Sequence, residues 1–145
     1  MKARTVRVDG EASPSATAAR LVTVRFAEML SAAPALEGRE DAAIHHFRLS
    51  CKRLRFAIER FAGWVPRAAD VARTLREISD VTGEAHDAAL LIKHAKKCGA
   101  HELARAEERR RQTCLDRARS AWRAAFESEP LRELGRYTGL EARTP

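Results

Sequence analysis

Basic and imidazole side chains recur at helical spacing in residues 44–55, which read IHHFRLSCKRLR. His45, Arg48, Lys52 and Arg55 are separated by three, four and three residues, so a helix places all four on one side. Such a row repels itself unless an extended anion lies along it. Arginine offers an anion a planar fork, lysine a compact charge, and histidine a donor that a polyanion would keep protonated. The spacing therefore predicts an anion-binding face, although a solvated basic face remains the simpler alternative.

The overall composition agrees with an anionic partner without identifying it. The 145 residues include 27 Lys and Arg against 20 Asp and Glu, a net charge of +7. No apolar stretch is long enough for a transmembrane helix, and the first residues lack the apolar core of a signal peptide. The three cysteines fit no zinc-binding spacing, and we interpret them as reduced thiols of a cytoplasmic protein. We expect neither a metal nor a cofactor.

Hydrophobic periodicity predicts the helices that must position this row. The predicted segments are 14–33, 40–61, 66–97, 101–126 and a short 130–136. In the second, apolar residues recur every three or four positions, at Ile44, Phe47, Cys51, Leu54, Ile58 and Phe61. Four amphipathic helices with short connections predict an all-α four-helix bundle with a short C-terminal helix.

The starts and domain limits follow from local signals. Ser13-Pro14 predicts a helix start, and Pro66 is placed in the first turn of the third helix. Residues 1–12 are polar and aperiodic, which predicts a flexible arm. Residues 13–140 are expected to form one domain, and residues 141–145 a tail.

Two segments together resemble the CHAD domain (conserved histidine α-helical domain) family. The first is the pattern I-H-x-x-R-x-x-x-K-R-L-R at 44–55. The second is LREISDVTGEAHDAALL at 75–91, in which a helix leads to a glycine and a His-Asp pair. Their order and separation also match, and the resemblance covers about residues 14–126.

The resemblance implies an α-helical, non-catalytic domain that binds inorganic polyphosphate in a basic channel, which suggests association with polyphosphate granules. The matching positions imply polyphosphate binding by His45, Arg48, Lys52, Arg53, Arg55 and His86. Gly83 and Asp87 are expected to support the site, Asp87 by orienting an arginine of the second helix. Arg105, Arg109, Arg119 and Arg123 of the fourth helix either form the far wall of the track or are plain surface residues.

The family commonly has two four-helix halves that face each other across the channel, whereas this chain has one copy of each motif. Either one bundle suffices, or two chains form a homodimer that rebuilds the channel. Two other functions stay open. The basic charge permits a general polyanion-binding or nucleic-acid-binding module, although no zinc finger, helix-turn-helix or aromatic RNA motif is present. A histidine phosphotransfer domain would use His45 or His46, but the Lys-Gly usual after that histidine is replaced by Arg48-Leu49.

Overall fold

Five α-helices make up most of the chain in the computed structural model, which describes residues 3–7 and 10–140. They are α1 (Pro14–Ala32), α2 (Asp41–Arg60), α3 (Ala68–Lys97), α4 (His101–Glu127) and α5 (Glu129–Thr138), with short 3₁₀ turns at Ala33–Glu37 and Ala62–Trp64. The described residues contain no strand. The prediction of an all-α fold with a short C-terminal helix is confirmed.

Local chemistry explains where several helices begin and end. The Ser13 side chain accepts a hydrogen bond from the Ala16 amide at 3.2 Å and caps α1, and Gly99 and Gly139 take positive φ angles after α3 and α5. The placement of Pro66 inside α3 is wrong. Arg67 has φ 49 and ψ 35, in the left-handed region, so the helix starts only at Ala68.

Each long helix packs against the next along the chain, and α5 contacts α1, α3 and α4. The apolar stripe of α2 lies in the shared core: Ile44, Phe47, Cys51, Leu54 and Ile58 are all buried. Phe47 meets Trp122 edge-to-face, with ring centroids 5.1 Å apart, and so ties α2 to α4. Because this stripe fixes the rotation of α2, the neighbouring basic row must lie at the boundary between α2 and α3.

The N-terminal arm touches α1 within residues 3–7. The Arg4 amide donates to Glu28 Oε1 at 2.8 Å, and Arg25 donates to both the Arg4 carbonyl and Glu28. Burial raises the pKa of Glu28, but the hydrogen bonds from Arg25 and Arg4 and the charges of Arg25 and Arg53 outweigh it, so the net pKa is lowered. The predicted tail 141–145 lies outside the described residues.

None of the described helices combines the length and apolar character that a membrane span requires.

Candidate functional site

The register between α2 and α3 places their polar residues opposite one another. His45 lies beside His86, with ring centroids 4.8 Å apart, and Arg48 lies against Gly83. Nearer the C-terminus of α2, Arg55 and Arg76 of α3 both reach Glu59. Because the α2 numbers rise while the α3 numbers fall, the two helices are antiparallel and share one continuous polar boundary.

A groove of about 290 Å³ opens along this boundary. We call it the basic groove, and its lining residues are Arg48, Lys52, Arg55, Arg76, Ser79 and Asp80. Four cations and one carboxylate therefore line it. From Arg48 to Arg55 the helical rise is about 10 Å at 1.5 Å per residue. The groove is thus positive, and its α2 wall extends along the helix, which suits a linear anion.

Gly83 makes room for the Arg48 side chain where α2 and α3 pack together. A Cβ atom at position 83 would lie 3.1 Å from Arg48 Nε, tighter than ordinary van der Waals contact. Glycine inside a helix costs about 1 kcal/mol relative to alanine. The close approach of the Arg48 guanidinium group explains why position 83 is a glycine. The space that Gly83 leaves lets the Arg48 side chain lie against α3 rather than in open solvent.

Two of the four cations of the basic groove lack an ion-pair partner in the part of the chain that the structure describes. Within the described part of the chain, Arg48 and Lys52 form no hydrogen bond or ion pair through their side chains. Arg55 Nη1 and Arg76 Nη2, in contrast, lie 3.4 Å and 3.3 Å from Glu59 Oε1. Arg48 Nε is also buried without a partner among the described residues, which is uncommon for a buried donor. No direct ion pair in the described residues therefore neutralises these two cations.

The two histidines lie next to the groove lining, His45 three residues before Arg48 on α2 and His86 three residues after Gly83 on α3. The Nδ1 atoms of His45 and His86 are both buried and lack a hydrogen-bond partner in the described residues. Burial lowers the pKa of His45 below its usual 6.5, and the positive charges of His86, Arg48 and His46 lower it further. His45 is therefore mainly neutral at neutral pH in the free protein, and an anion beside it would favour its protonated form.

Two residues that the sequence assigned to the site lie elsewhere or act differently. Arg53 does not line the groove; it lies on the α1 side of α2, close enough to lower the pKa of Glu28. Asp87 is exposed and forms no ion pair with an α2 arginine within the described residues. The carboxylates that contact or border the α2 arginines are instead Glu59 and Asp80.

The arginines of α4 do not form the far wall of the groove, because α4 packs against α3 from another side. Arg119 donates to the Leu36 carbonyl at 2.7 Å and Arg123 to Glu37 at 3.4 Å, so both hold the 33–37 turn. Arg105 pairs with Glu102 of its own helix, and Arg109 is exposed. The far wall comes from α3 instead.

Sequence reasoning missed Arg76, Ser79 and Asp80 as groove residues. A signal was present, because Arg76, Ser79, Gly83 and His86 follow one another at spacings of three, four and three on α3. The same spacing in antiparallel helices brings the two rows face to face. Periodicity alone does not reveal which face of α3 meets α2, so the pairing becomes visible only in the structure.

The opposite side of α3 carries a second groove of contrasting charge. It has a volume of about 730 Å³, lies between α3 and α4, and is lined by Glu77, Asp80, Val81, Glu84, Thr113, Asp116, Arg117, Ser120 and Ala121. We call it the acidic groove. Among the described residues, no group of three or more His, Cys, Asp or Glu side chains is arranged to hold a metal ion.

Comparison with known proteins identifies the family. The family model described as CHAD domain matches residues 20–138, which include α2, α3, α4, α5 and the last two thirds of α1. No significant similarity was found to a curated protein or to a solved structure. The matched region contains every residue that lines the basic groove, and it covers most of the chain. The chain belongs to the CHAD domain family.

Proposed function

We propose that this chain binds inorganic polyphosphate along the basic groove and does so without catalysing a reaction. The observation that carries the proposal is the pair of cations, Arg48 and Lys52, that line the basic groove without an ion-pair partner in the described residues. A protein that used these residues only for solubility would gain nothing from crowding them against α3. Family membership supports the same reading, since the resemblance implies a polyphosphate-binding domain.

Binding is electrostatic in this proposal. Successive phosphates meet Lys52 and Arg48 in the middle of the groove, and His45 and His86 at one end. Hydrogen bonds to charged groups contribute about 1.5–3 kcal/mol each. Binding also releases counterions condensed on the polyanion, so the affinity falls steeply with salt; this rule is established for nucleic acids and is extended here by analogy.

Nucleic acid is the competing ligand, because its backbone offers phosphates too. Proteins that bind single strands combine a basic groove with aromatic residues on which bases stack. No aromatic side chain is among the residues that line the basic groove. Phe56 is exposed nearby, but its ring lies beneath Arg55 at 4.6 Å from the guanidinium carbon. The groove thus favours a ligand that consists of phosphate alone.

A second copy of the chain would complete the proposed site. One bundle supplies one positive wall, and a homodimer that faces two basic grooves toward each other would enclose the ligand. Light scattering with a large molar excess of polyphosphate tests this, because separate chains then bind separate ligands: two chains per complex supports the enclosed channel, and one chain per complex contradicts it. We further propose a cytoplasmic location with association to polyphosphate granules.

The decisive experiment is titration of long-chain polyphosphate into the wild type and the Arg48→Ala/Lys52→Ala variant, with duplex DNA as competitor. The matched control is Arg105→Ala/Arg109→Ala, which removes two exposed cations from α4. At about 1.5 kcal/mol or more for each groove residue, the first variant should lose about a hundredfold in affinity. The control should bind as the wild type does.

Two results contradict the proposal. If both double variants weaken binding equally, the interaction depends on net charge and not on the groove. If DNA at matched phosphate concentration displaces the polyphosphate, the chain is a general polyanion-binding module.

A further inference from the structure

Glu59 occupies the end of the basic groove that is farthest from the histidines. Its Oε1 atom lies 3.4 Å from Arg55 Nη1 and 3.3 Å from Arg76 Nη2, one arginine from each helix. Two guanidinium groups at one point repel each other, and a carboxylate between them offsets that repulsion. Glu59 therefore holds the two arginines together as one unit.

The surface beyond Glu59 offers little to an anion. A cleft of about 530 Å³ follows, lined by Glu59, Ala62, Ala68, Ala69, Ala72, Arg73 and Arg76. Most of these residues are alanines, Arg73 is paired with Asp70, and Arg76 is already shared with Glu59. A phosphate that passed Glu59 would meet a negative charge first and no uncompensated cation of this cleft afterwards. The favourable path for an anion thus ends at Arg55 and Arg76.

We infer that Glu59 is an end stop that makes the basic groove select the terminus of a linear polyphosphate; the inference rests on the proposed function. The last phosphate lies against Arg55 and Arg76, and the chain runs back past Lys52 and Arg48 toward His45. Each guanidinium has five N–H donors, so donors remain after one bond to Glu59. A terminal phosphate carries a second negative charge with a pKa of about 6, by analogy with phosphate monoesters, which suits two arginines better than an internal phosphate does.

The test measures how many protein molecules saturate polyphosphates of different chain length at constant total phosphate. A ligand with two ends offers at most two binding sites, each filled by one chain or by one homodimer, so doubling the chain length should halve the amount of bound protein. In Glu59→Gln the amide keeps the shape and removes the charge. We expect its saturation to stay constant as chains lengthen, because internal stretches can now pass the arginines.

A matched control keeps the interpretation clear. Glu77→Gln removes the same charge one residue from Arg76, but Glu77 lines the acidic groove. This variant should keep the wild-type dependence on chain length. Cyclic trimetaphosphate, which has no terminus, should compete poorly with a linear triphosphate for the wild type and about equally well for Glu59→Gln.

The outcomes separate this inference from the proposed function. If the wild type binds polyphosphate and loses binding in Arg48→Ala/Lys52→Ala, but saturates in proportion to total phosphate at every chain length, the end stop is overturned and the groove stands. If the wild type does not bind at all, the proposed function fails first. Loss of the chain-length dependence in both Glu59→Gln and Glu77→Gln would also overturn the assignment, because removal of any nearby negative charge would then explain the loss.

Discussion

The two grooves that flank α3 differ in charge although they share a helix. The basic groove has four cations and one carboxylate, whereas the acidic groove has four carboxylates and one arginine. Asp80 borders both. In the acidic groove the single cation, Arg117, lies 3.3 Å from Glu84, while Arg48 and Lys52 of the basic groove have no such partner in the described residues.

The difference teaches that net charge is a poor guide to where on this molecule an anion-binding site would lie. Most of the basic residues of α4 are paired with acids of their own helix or of the 33–37 turn. Such exposed pairs contribute only about 0–1 kcal/mol each, but they cancel the local field. The unpaired cations of α2 therefore differ from most of the arginines of α4, whose charges are offset locally.

Breaking the shared core should abolish both grooves together and has the largest expected effect. Phe47 is fully buried and packs against Trp122, so Phe47→Ala should lower the free energy of unfolding by about 3–5 kcal/mol. Urea unfolding followed by circular dichroism measures the loss. Phe56→Ala is the matched control, because Phe56 is 54% exposed and should cost less than about 1 kcal/mol. Equal losses would contradict the described packing.

Removing one cation from each groove sharpens the comparison most directly. Lys52→Ala deletes an uncompensated charge, and polyphosphate affinity should fall by about 1.5–3 kcal/mol, or roughly ten- to a hundredfold. Arg117→Ala deletes a paired charge in the acidic groove and should leave the affinity within about threefold, the effect of about 0.5 kcal/mol. Titration calorimetry at two salt concentrations checks both, and a larger loss in Arg117→Ala would reverse the assignment.

The basic groove should respond to pH through His45. Because the pKa of His45 is lowered in the folded protein, the unfolded chain binds its proton more readily. Stability of the free protein should therefore fall as the pH drops below about 6.5 toward that lowered pKa. A bound polyanion raises the pKa, so the affinity should rise as the pH falls toward the lowered pKa of the free protein, by up to tenfold for each pKa unit by which binding raises it.

His45→Gln should remove this pH dependence of the affinity. His94→Gln is the control, since His94 is exposed on α3 outside the groove lining. Titrations at stepwise lower pH distinguish them. A pH response that survives in His45→Gln would assign the proton to the ligand or to another side chain.

The smallest expected effect on stability and affinity comes from a substitution at the contact between α2 and α3. Gly83→Ala places a Cβ atom 3.1 Å from Arg48 Nε, and the flexible side chain must move. Alanine gains up to about 1 kcal/mol of helix propensity, so the unfolding free energy should change little or rise slightly. Polyphosphate affinity should nevertheless fall a few-fold because Arg48 leaves its position. An unchanged affinity would mean that the position of Arg48 against α3 is unimportant.

The spacing of residues along the sequence predicts which residues share a helix face. It does not predict which faces of two helices meet. The spacing of His45, Arg48, Lys52 and Arg55 predicts a shared helix face, and the buried stripe beside it fixes how that helix is rotated. Which face of α3 meets that row depends on the packing of two helices against a third. For that reason Arg76 was missed, and the sequence left open whether the arginines of α4 form the far wall or are plain surface residues.

The exact residue at which α3 begins is harder to predict from the sequence. Proline favours the first turn of a helix, which made Pro66 a reasonable start for α3. The left-handed conformation of Arg67 is accompanied by hydrogen bonds from its guanidinium to Asp70 at 3.0 Å and 2.9 Å. A pattern of residue types does not indicate that these hydrogen bonds accompany a left-handed backbone at Arg67.

The three cysteines differ in exposure in a way that supplies built-in chemical reporters. Cys98 is exposed at the end of α3, whereas Cys51 and Cys114 are buried, and burial raises the pKa of both buried thiols. The thiolate is the form that alkylating reagents attack, so Cys98 should be modified first and can carry a dye without entering either groove. Cys51 and Cys114 become reactive only when their helices separate. The rate of their modification would therefore time the opening of α2 and of α4 individually, with no engineered residue in the chain.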